Sequence, residues 1–320
     1  MTLLTSSPDN DRSRPAIPVA GHSIEDGLRA TGLSRRAWLA LATGPLLFTL
    51  TGCATTRPQR ISLPVRHTIQ SDQLVVVSDF KLPKDHLLIK DLMLLRKQVS
   101  ETLELPLGSK QVTVYLFTNE LEYAQYLQAT FPGYPPRRAY FIQTPGKDLA
   151  VYTWWGEKIQ EDLRHEFTHG LLHAGLTGVP LWLDEGLAEY FEVAGPNPGQ
   201  INVEHAQGLA TALQNGWRPD MDRLETLEKV EEMRRPDYRE SWAWVHYMIN
   251  GSPDTRQVLL NYLQDLRTDA NPGSLHARLQ AETPDCDQRL LVYVANVNSM
   301  APWLAGNSAG GLQPVRAGNY

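Results

Sequence analysis

The stretch HEFTHGLLHAGLTGVPLWLDEGLAEYFE, which begins at His165, constrains the fold more than any other part of the chain. His165 and His169 stand four residues apart, and on a helix such positions differ by only about 40° in rotation and about 6 Å in height. Both imidazoles can therefore reach one ion. The opposite side of the predicted helix carries an apolar stripe: Ile159, Leu163, Phe167 and Leu171. This stripe predicts that one face is buried and that the histidines line a cleft.

The first five residues of this stretch fit H-E-x-x-H, a zinc-binding pattern in which Glu166 is the acidic member. Glu166 lies about 100° around the helix from His165, where its carboxylate can touch a water on the metal without binding the metal. A zinc ion in a hydrolytic site takes three protein ligands and keeps one position for water. The candidates for the third ligand are His173, Glu185 and Glu189. His173 is the weakest of them, because it lies about 12 Å along the axis from His165.

A second helix is predicted to begin near Pro180, since GLTGVP ends the first helix and proline suits the first turn of the next. Glu185 and Glu189 are four residues apart on it and share a face. Gly186 lies between them, where glycine costs about 1 kcal/mol relative to alanine. We expect Gly186 to allow the two metal-bearing helices to approach each other closely.

This part of the chain resembles the gluzincin branch of the H-E-x-x-H metallopeptidases. WLDEGLAEYFE is similar to the segment that follows H-E-x-x-H in aminopeptidase-like members and in a group of bacterial peptidase domains. The resemblance implies a zincin-like domain in which Glu185, the glutamate before glycine, is the third zinc ligand. It also implies that Glu189, one turn later, orients the first histidine. The gap between His169 and Glu185 is shorter than in the best-known members.

The resulting hypothesis is a zinc peptidase, more specifically an endopeptidase, acting on peptide or protein substrates. One Zn²⁺ held by His165, His169 and Glu185 would polarise a water and a peptide carbonyl. Glu166 would take the proton of that water as general base and pass it to the leaving amine.

Further residues are expected to support this chemistry. Glu189 and Asp184 are candidates to accept the outer N–H of a ligating histidine and fix its tautomer. The tetrahedral intermediate also needs a donor to its oxyanion besides the metal. Tyr238 is the first candidate for this catalytic role, ahead of Tyr190 and His246.

The rest of the chain predicts an α+β fold. Residues 71–195 are expected to form a metallopeptidase domain with a small mixed sheet and helices, and residues 200–304 an all-helical C-terminal lobe. Residues 305–320 have low complexity and are predicted to be a disordered tail. Apolar, β-branched runs predict strands near residues 74–77, 112–117, 139–143 and 149–154.

The last of these strands directly precedes the histidine-bearing helix, and we expect it to form an edge of the sheet. A free edge can pair with the extended backbone of a substrate. Trp154 and Trp155 would then flank the cleft, although ordinary core packing explains two aromatic residues equally well.

Residues 1–53 are interpreted as a signal peptide. Arg35 and Arg36, which resemble a twin-arginine export signal, precede an apolar run that is shorter than the roughly 20 residues a membrane span needs. Leu50-Thr51-Gly52-Cys53 resembles a bacterial lipobox, which implies lipidation of Cys53 and anchoring to a membrane of the cell envelope. The alternative is a chance apolar patch with a buried cysteine. Residues 54–70 are predicted to be a polar tether.

The composition of the chain argues against some partners and against some kinds of zinc site. The net charge is −6 and no long basic run occurs, so nucleic acid is excluded as an expected partner. With only two cysteines, the chain cannot build a cysteine zinc cage. A catalytically silent zinc-binding lipoprotein is the main alternative to the enzyme, and the intact Glu166 argues against it. A purely structural zinc site is weaker still, because such sites usually have four protein ligands.

Overall fold

The computed structural model describes residues 62–144 and 149–307. The predicted signal peptide, Cys53 and the first part of the tether, residues 54–61, lie outside these residues, as does the end of the predicted tail. Among the helices of the described residues, none combines the length and the apolar character that a membrane span requires.

The described strands form one five-stranded mixed sheet with the order β1-β2-β3-β5-β4. The central strands β2, β3 and β5 run parallel, and β1 and β4 pair antiparallel at the two edges. Val114 on β3 pairs with Val76 and Val151, and all three are buried. The strands are β1 (His67–Ser71), β2 (Leu74–Ser78), β3 (Val112–Phe117), β4 (Ala139–Gln143) and β5 (Leu149–Trp154). The predicted α+β class with a mixed sheet is confirmed.

The prediction that residues 149–154 form an edge strand is wrong. This segment is β5, which lies between β3 and β4, and the edge strand is β4. The physical reason is visible in the burial of β5, whose first five residues are all buried. A continuous apolar run of this kind is typical of an interior strand covered on both faces.

The tether prediction is wrong at its C-terminal end, because β1 begins at His67. β1 turns into β2 through Asp72, which adopts a positive φ of 48°. Only Ile69 of the five strand residues is buried. An edge strand with a single buried side chain has a polar sequence, and this is why it resembles a tether.

Helices make up most of the remaining described residues. Before residue 200 they are α1 (Leu87–Thr102), α2 (Glu120–Thr130), α3 (Ile159–Gly175) and α4 (Leu181–Glu192). After residue 200 they are α5 (Val203–Gln214), α6 (Met221–Glu225), α7 (Arg235–Asn250), α8 (Pro253–Asp265), α9 (Leu275–Glu282) and α10 (Cys286–Asn307). A 3₁₀ turn, Val230–Glu232, precedes α7. Because α10 continues to Asn307, the predicted tail is wrong in its first residues.

Two glycines set the spacing of the layers. A Cβ on Gly170 of α3 would lie 2.5 Å from a methyl group of Val112, so this glycine allows α3 to lie directly on β3. A Cβ on Gly186 would lie 2.7 Å from the carbonyl oxygen of Ser241 on α7. Gly186 therefore permits contact between α4 and α7. The expectation that it allows the two metal-bearing helices, α3 and α4, to approach each other is wrong, because the atoms nearest to its Cβ position belong to α7.

Replacing Gly186 with alanine is expected to destabilise the protein. The added methyl group meets the backbone of α7, and relieving such overpacking costs about 1–3 kcal/mol. This exceeds the gain in helix preference of about 1 kcal/mol. Urea denaturation measures the change. Gly175→Ala is the matched control, since the nearest atom to its Cβ is 3.4 Å away. Equal stability of the two variants would contradict the packing argument.

Candidate metal centre

The connection between α3 and α4 brings the two helices to one cleft. After α3 ends at Gly175, Thr177 donates its backbone N–H and its hydroxyl to the carbonyl of Leu266, at 2.9 and 2.7 Å. Pro180, whose ring fixes φ near the helical value, directly precedes α4. These contacts make the turn between the helices short and hold the start of α4 beside α3.

Three side chains from these helices converge on one point. Nε2 of His165 lies 3.5 Å from Oε2 of Glu185, and Nε2 of His169 lies 3.7 Å from the same oxygen. The donor atoms around a tetrahedral zinc ion are roughly 3.3 Å apart, given bond lengths near 2.0–2.1 Å. The spacing therefore fits the donor set of a divalent cation with two imidazoles and one carboxylate.

The outer nitrogen of His165 is held by Glu192. Its Nδ1 lies 3.0 Å from Oε2 of Glu192 in a hydrogen bond. Sequence analysis did not select Glu192, although a signal exists: it lies seven residues after Glu185, two turns along the same face of α4. A carboxylate in this position fixes the ring so that Nε2 faces the metal point.

Glu189 has a different partner from the expected one. Its Oε2 accepts a hydrogen bond of 2.7 Å from Nε2 of His205 on α5. The expectation that Glu189 orients His165 is therefore wrong, since Glu192 makes that contact. The reason is rotational: Glu189 is turned on α4 towards α5, and Glu192 is the residue that faces α3.

Asp184 lies against the other metal-point histidine. Its Oδ1 is 2.9 Å from Nδ1 of His169, a close contact whose angles depart from those of a hydrogen bond. Its Oδ2 is hydrogen-bonded to Nε2 of His173 at 2.9 Å. His173 in turn bonds the side chain of Gln143 on β4. His173 thus contacts Asp184 and stays away from the metal point.

The electrostatics of the cluster favour positive charge at the point of convergence. Burial works against charge on His169, but the carboxylates of Asp184 and Glu185 outweigh it and raise the pKa of this imidazole to about 9. The same opposition, with Glu185 and Glu192 as the main partners, raises the pKa of His165. Burial also resists ionisation of Glu185, yet the two histidines lower the pKa of its carboxyl group. A metal cation at this point would be stabilised by the same carboxylates that stabilise the protonated imidazoles.

Glu166 lies beside this point and touches the sheet edge. Its Oε2 accepts a hydrogen bond of 2.5 Å from the backbone N–H of Phe141 on β4. Together with His165 and His169 it lines a cleft of about 540 Å³ that opens along β4. The carboxylate is therefore adjacent to the histidines without joining the three converging donors.

Of the three candidates for an oxyanion donor, Tyr238 is the one that lines a cavity at the centre. This cavity, of about 430 Å³, is shared with His165 and Glu185. Burial raises the pKa of Tyr238, as does the nearby charge of Glu185, so the phenol keeps its proton. The nearby positive charge of Arg137 opposes this rise in the pKa of Tyr238.

The other aromatic candidates take part in packing. Tyr190 is buried and accepts a hydrogen bond from Asn250. His246 is bonded to the hydroxyl of Tyr293, and burial lowers its pKa to about 4. The prediction that Trp154 and Trp155 flank the cleft is wrong. Trp154 packs against Tyr123, and Trp155 packs against Phe80 and His86.

No model of a known protein family matches the sequence, and no curated protein matches it either. Functional inference therefore depends on the chemistry of the residues described above.

Proposed function

We propose that the protein is a zinc-dependent peptidase of the gluzincin type with a zincin-like fold. The observation that carries this proposal is the convergence of His165, His169 and Glu185 on one point beside an open cleft. Three protein donors leave a fourth position for water, as in hydrolytic zinc sites. Glu166 lines the cleft together with both histidines, and it would act there as the general base.

The residues divide the reaction among them. His165, His169 and Glu185 would hold a zinc ion, which would supply the Lewis acidity that polarises water and the substrate carbonyl. Glu166 takes the proton of the attacking water and delivers it to the nitrogen of the leaving amine. Tyr238 donates its hydroxyl proton in a hydrogen bond to the carbonyl oxygen as negative charge develops there. Glu192 and Asp184 hold the imidazole rings in place through their Nδ1 atoms.

Strand β4 offers a place for the substrate backbone. It is the sheet edge nearest the centre, and Phe141 directs its N–H out of the sheet to Glu166. An extended peptide lying along this edge would place a carbonyl between the histidines and Tyr238. The open ends of a strand-pairing groove suit internal peptide bonds, which supports an endopeptidase.

The proposal includes the cellular setting. Lipidation of Cys53 would anchor the protein to a membrane of a bacterial envelope, with the folded part in the periplasm or outside the cell. Its partners would then be peptide or protein substrates of that compartment.

Zinc analysis combined with digestion of a peptide library tests the function. We expect the purified protein to hold one zinc ion and to cleave peptides. Zinc without any cleavage would favour the alternative, a catalytically silent zinc-binding lipoprotein. Absence of bound zinc after incubation with the metal would contradict both hypotheses.

Two variants on α4 test whether Glu185 is a metal ligand and Glu189 is not. Glu185→Gln is expected to lower zinc affinity by more than the about 10- to 100-fold typical of outer partners, because it removes the anionic donor. Glu189→Gln is the matched control and should retain zinc, since an amide can still bond His205. Metal content after dialysis against a chelator series gives the comparison. Retention of zinc by Glu185→Gln would remove this residue from the ligand set.

A further inference from the structure

Arg137 lies beside the candidate metal centre. It belongs to the segment between α2 and β4, residues 131–138. Its side chain lines three adjoining cavities, of about 540, 430 and 280 Å³, and each of them also reaches His165. A ligand in any of these cavities therefore shares its cavity with this guanidinium.

The charge of Arg137 has no ionic partner among the described residues. No carboxylate of that part of the chain lies within ion-pairing distance of it, in contrast to the other arginines that line these cavities. Arg138 is paired with Glu161 and Asp162, and Arg235 with Glu204. An unpaired guanidinium at the mouth of a site is available to bind an anion.

The contacts that Arg137 does make position it without using up its donors. Its guanidinium carbon lies 5.7 Å from the ring centroid of Tyr140, over the ring face. Tyr238 lines one of the same cavities. A guanidinium has five N–H donors in a fixed fork, so a pair of them remains for a carboxylate. The site is thus prepared for bidentate recognition.

We propose that Arg137 binds a carboxylate of the substrate and makes the enzyme prefer peptides that carry one close to the scissile bond. This inference rests on the proposed peptidase function. Two sources share the required chemistry: the side chain of an aspartate or glutamate, and the α-carboxylate at the end of a peptide. The first corresponds to an endopeptidase with acidic specificity, and the second to removal of residues from the C-terminus.

Cleavage of matched peptides tests the preference. One pair of peptides exchanges glutamate for glutamine next to the scissile bond, and a second pair exchanges a C-terminal acid for an amide. The wild-type protein should cleave one acidic member with kcat/KM about 10- to 100-fold above its neutral partner, the range for hydrogen bonds to a charged group. The pair that shows the difference identifies the source of the carboxylate.

Variants of neighbouring arginines show whether Arg137 is responsible. Arg137→Gln should abolish the preference, so that the acidic and neutral members of a pair are cleaved with equal kcat/KM. Arg137→Glu should shift the preference towards peptides with lysine at the same position. Arg138→Gln, one residue away, is the matched control and should retain the wild-type preference. A wild-type enzyme with no preference would overturn the proposal, and so would an equal loss for acidic and neutral peptides.

A binding measurement separates this inference from the peptidase function. In the Glu166→Gln background, where cleavage is blocked, the same peptides can be titrated calorimetrically against the full chain. Tighter binding of the acidic peptide that disappears with Arg137→Gln would support the carboxylate site even if no peptide is ever cleaved. Equal affinities for acidic and neutral peptides would overturn the carboxylate site whatever the wild-type activity.

Discussion

The Glu166→Gln variant is expected to bind zinc like the wild type and to lose about 10²- to 10⁴-fold in kcat/KM for peptide cleavage. Glutamine has nearly the same shape as glutamate, and its amide oxygen can still accept the N–H of Phe141, so the local structure is retained. What disappears is the group that takes the proton from water. Steady-state kinetics on a fluorogenic peptide, with zinc content measured on the same sample, checks both parts.

The control for this variant lies one turn earlier on the same helix. Glu161 is paired with Arg138 and Lys158 on the surface of α3, so Glu161→Gln makes the same chemical change away from the cleft. It should leave kcat/KM unchanged. A Glu166→Gln variant as active as Glu161→Gln would show that another group is the base. Loss of zinc from Glu166→Gln would mean that this carboxylate contributes to the metal site.

The parts of the site that sequence analysis placed well depend on spacing along a single helix. His165 and His169 share a face because of the helical repeat. Spacing along one helix does not decide which residues of α3 and α4 meet. Whether Glu189 or Glu192 meets His165 depends on the rotation of α4 against α3, which packing against α5 and α7 decides. No local pattern encodes that angle.

The errors in the sheet have the same origin. The strands were recognisable from their apolar runs, but the order β3-β5-β4 requires a crossover that no single run specifies. Gly186 correctly predicted close helix packing, but its partner is α7 and not α3. The contacting residue, Ser241, is distant in the sequence. Long-range contacts of this kind become visible only in the assembled fold.

One buried arginine connects the core to the metal centre. Arg164 immediately precedes His165 and its side chain is fully buried. It donates to Oδ1 of Asp91 on α1 at 3.0 Å and to the backbone carbonyls of Phe191 and Glu192 at 2.9 and 3.1 Å. A further bond of 3.1 Å goes to Gln98. This positive charge closes the C-terminal end of α4, where it also suits the helix dipole.

The Arg164→Met variant is expected to lose about 3–5 kcal/mol of stability, because Asp91, whose side chain is only 12% exposed, would lose its partner. It should also weaken zinc binding by about 10- to 100-fold, since the backbone that carries Glu192 is released and His165 loses its orientation. Thermal unfolding and zinc titration report the two effects.

A second substitution and a surface control decide whether the loss comes from the stranded charge. Adding Asp91→Leu removes the unpaired carboxylate, so the double variant should recover part of the stability while its zinc affinity stays low. Arg66→Met, which breaks an exposed pair with Asp79, should leave the melting temperature unchanged. If Arg164→Met had the same melting temperature as the wild type, the hydrogen bonds of Arg164 would be dispensable for stability. The link from α1 through α4 to the orientation of His165 would then have to be abandoned.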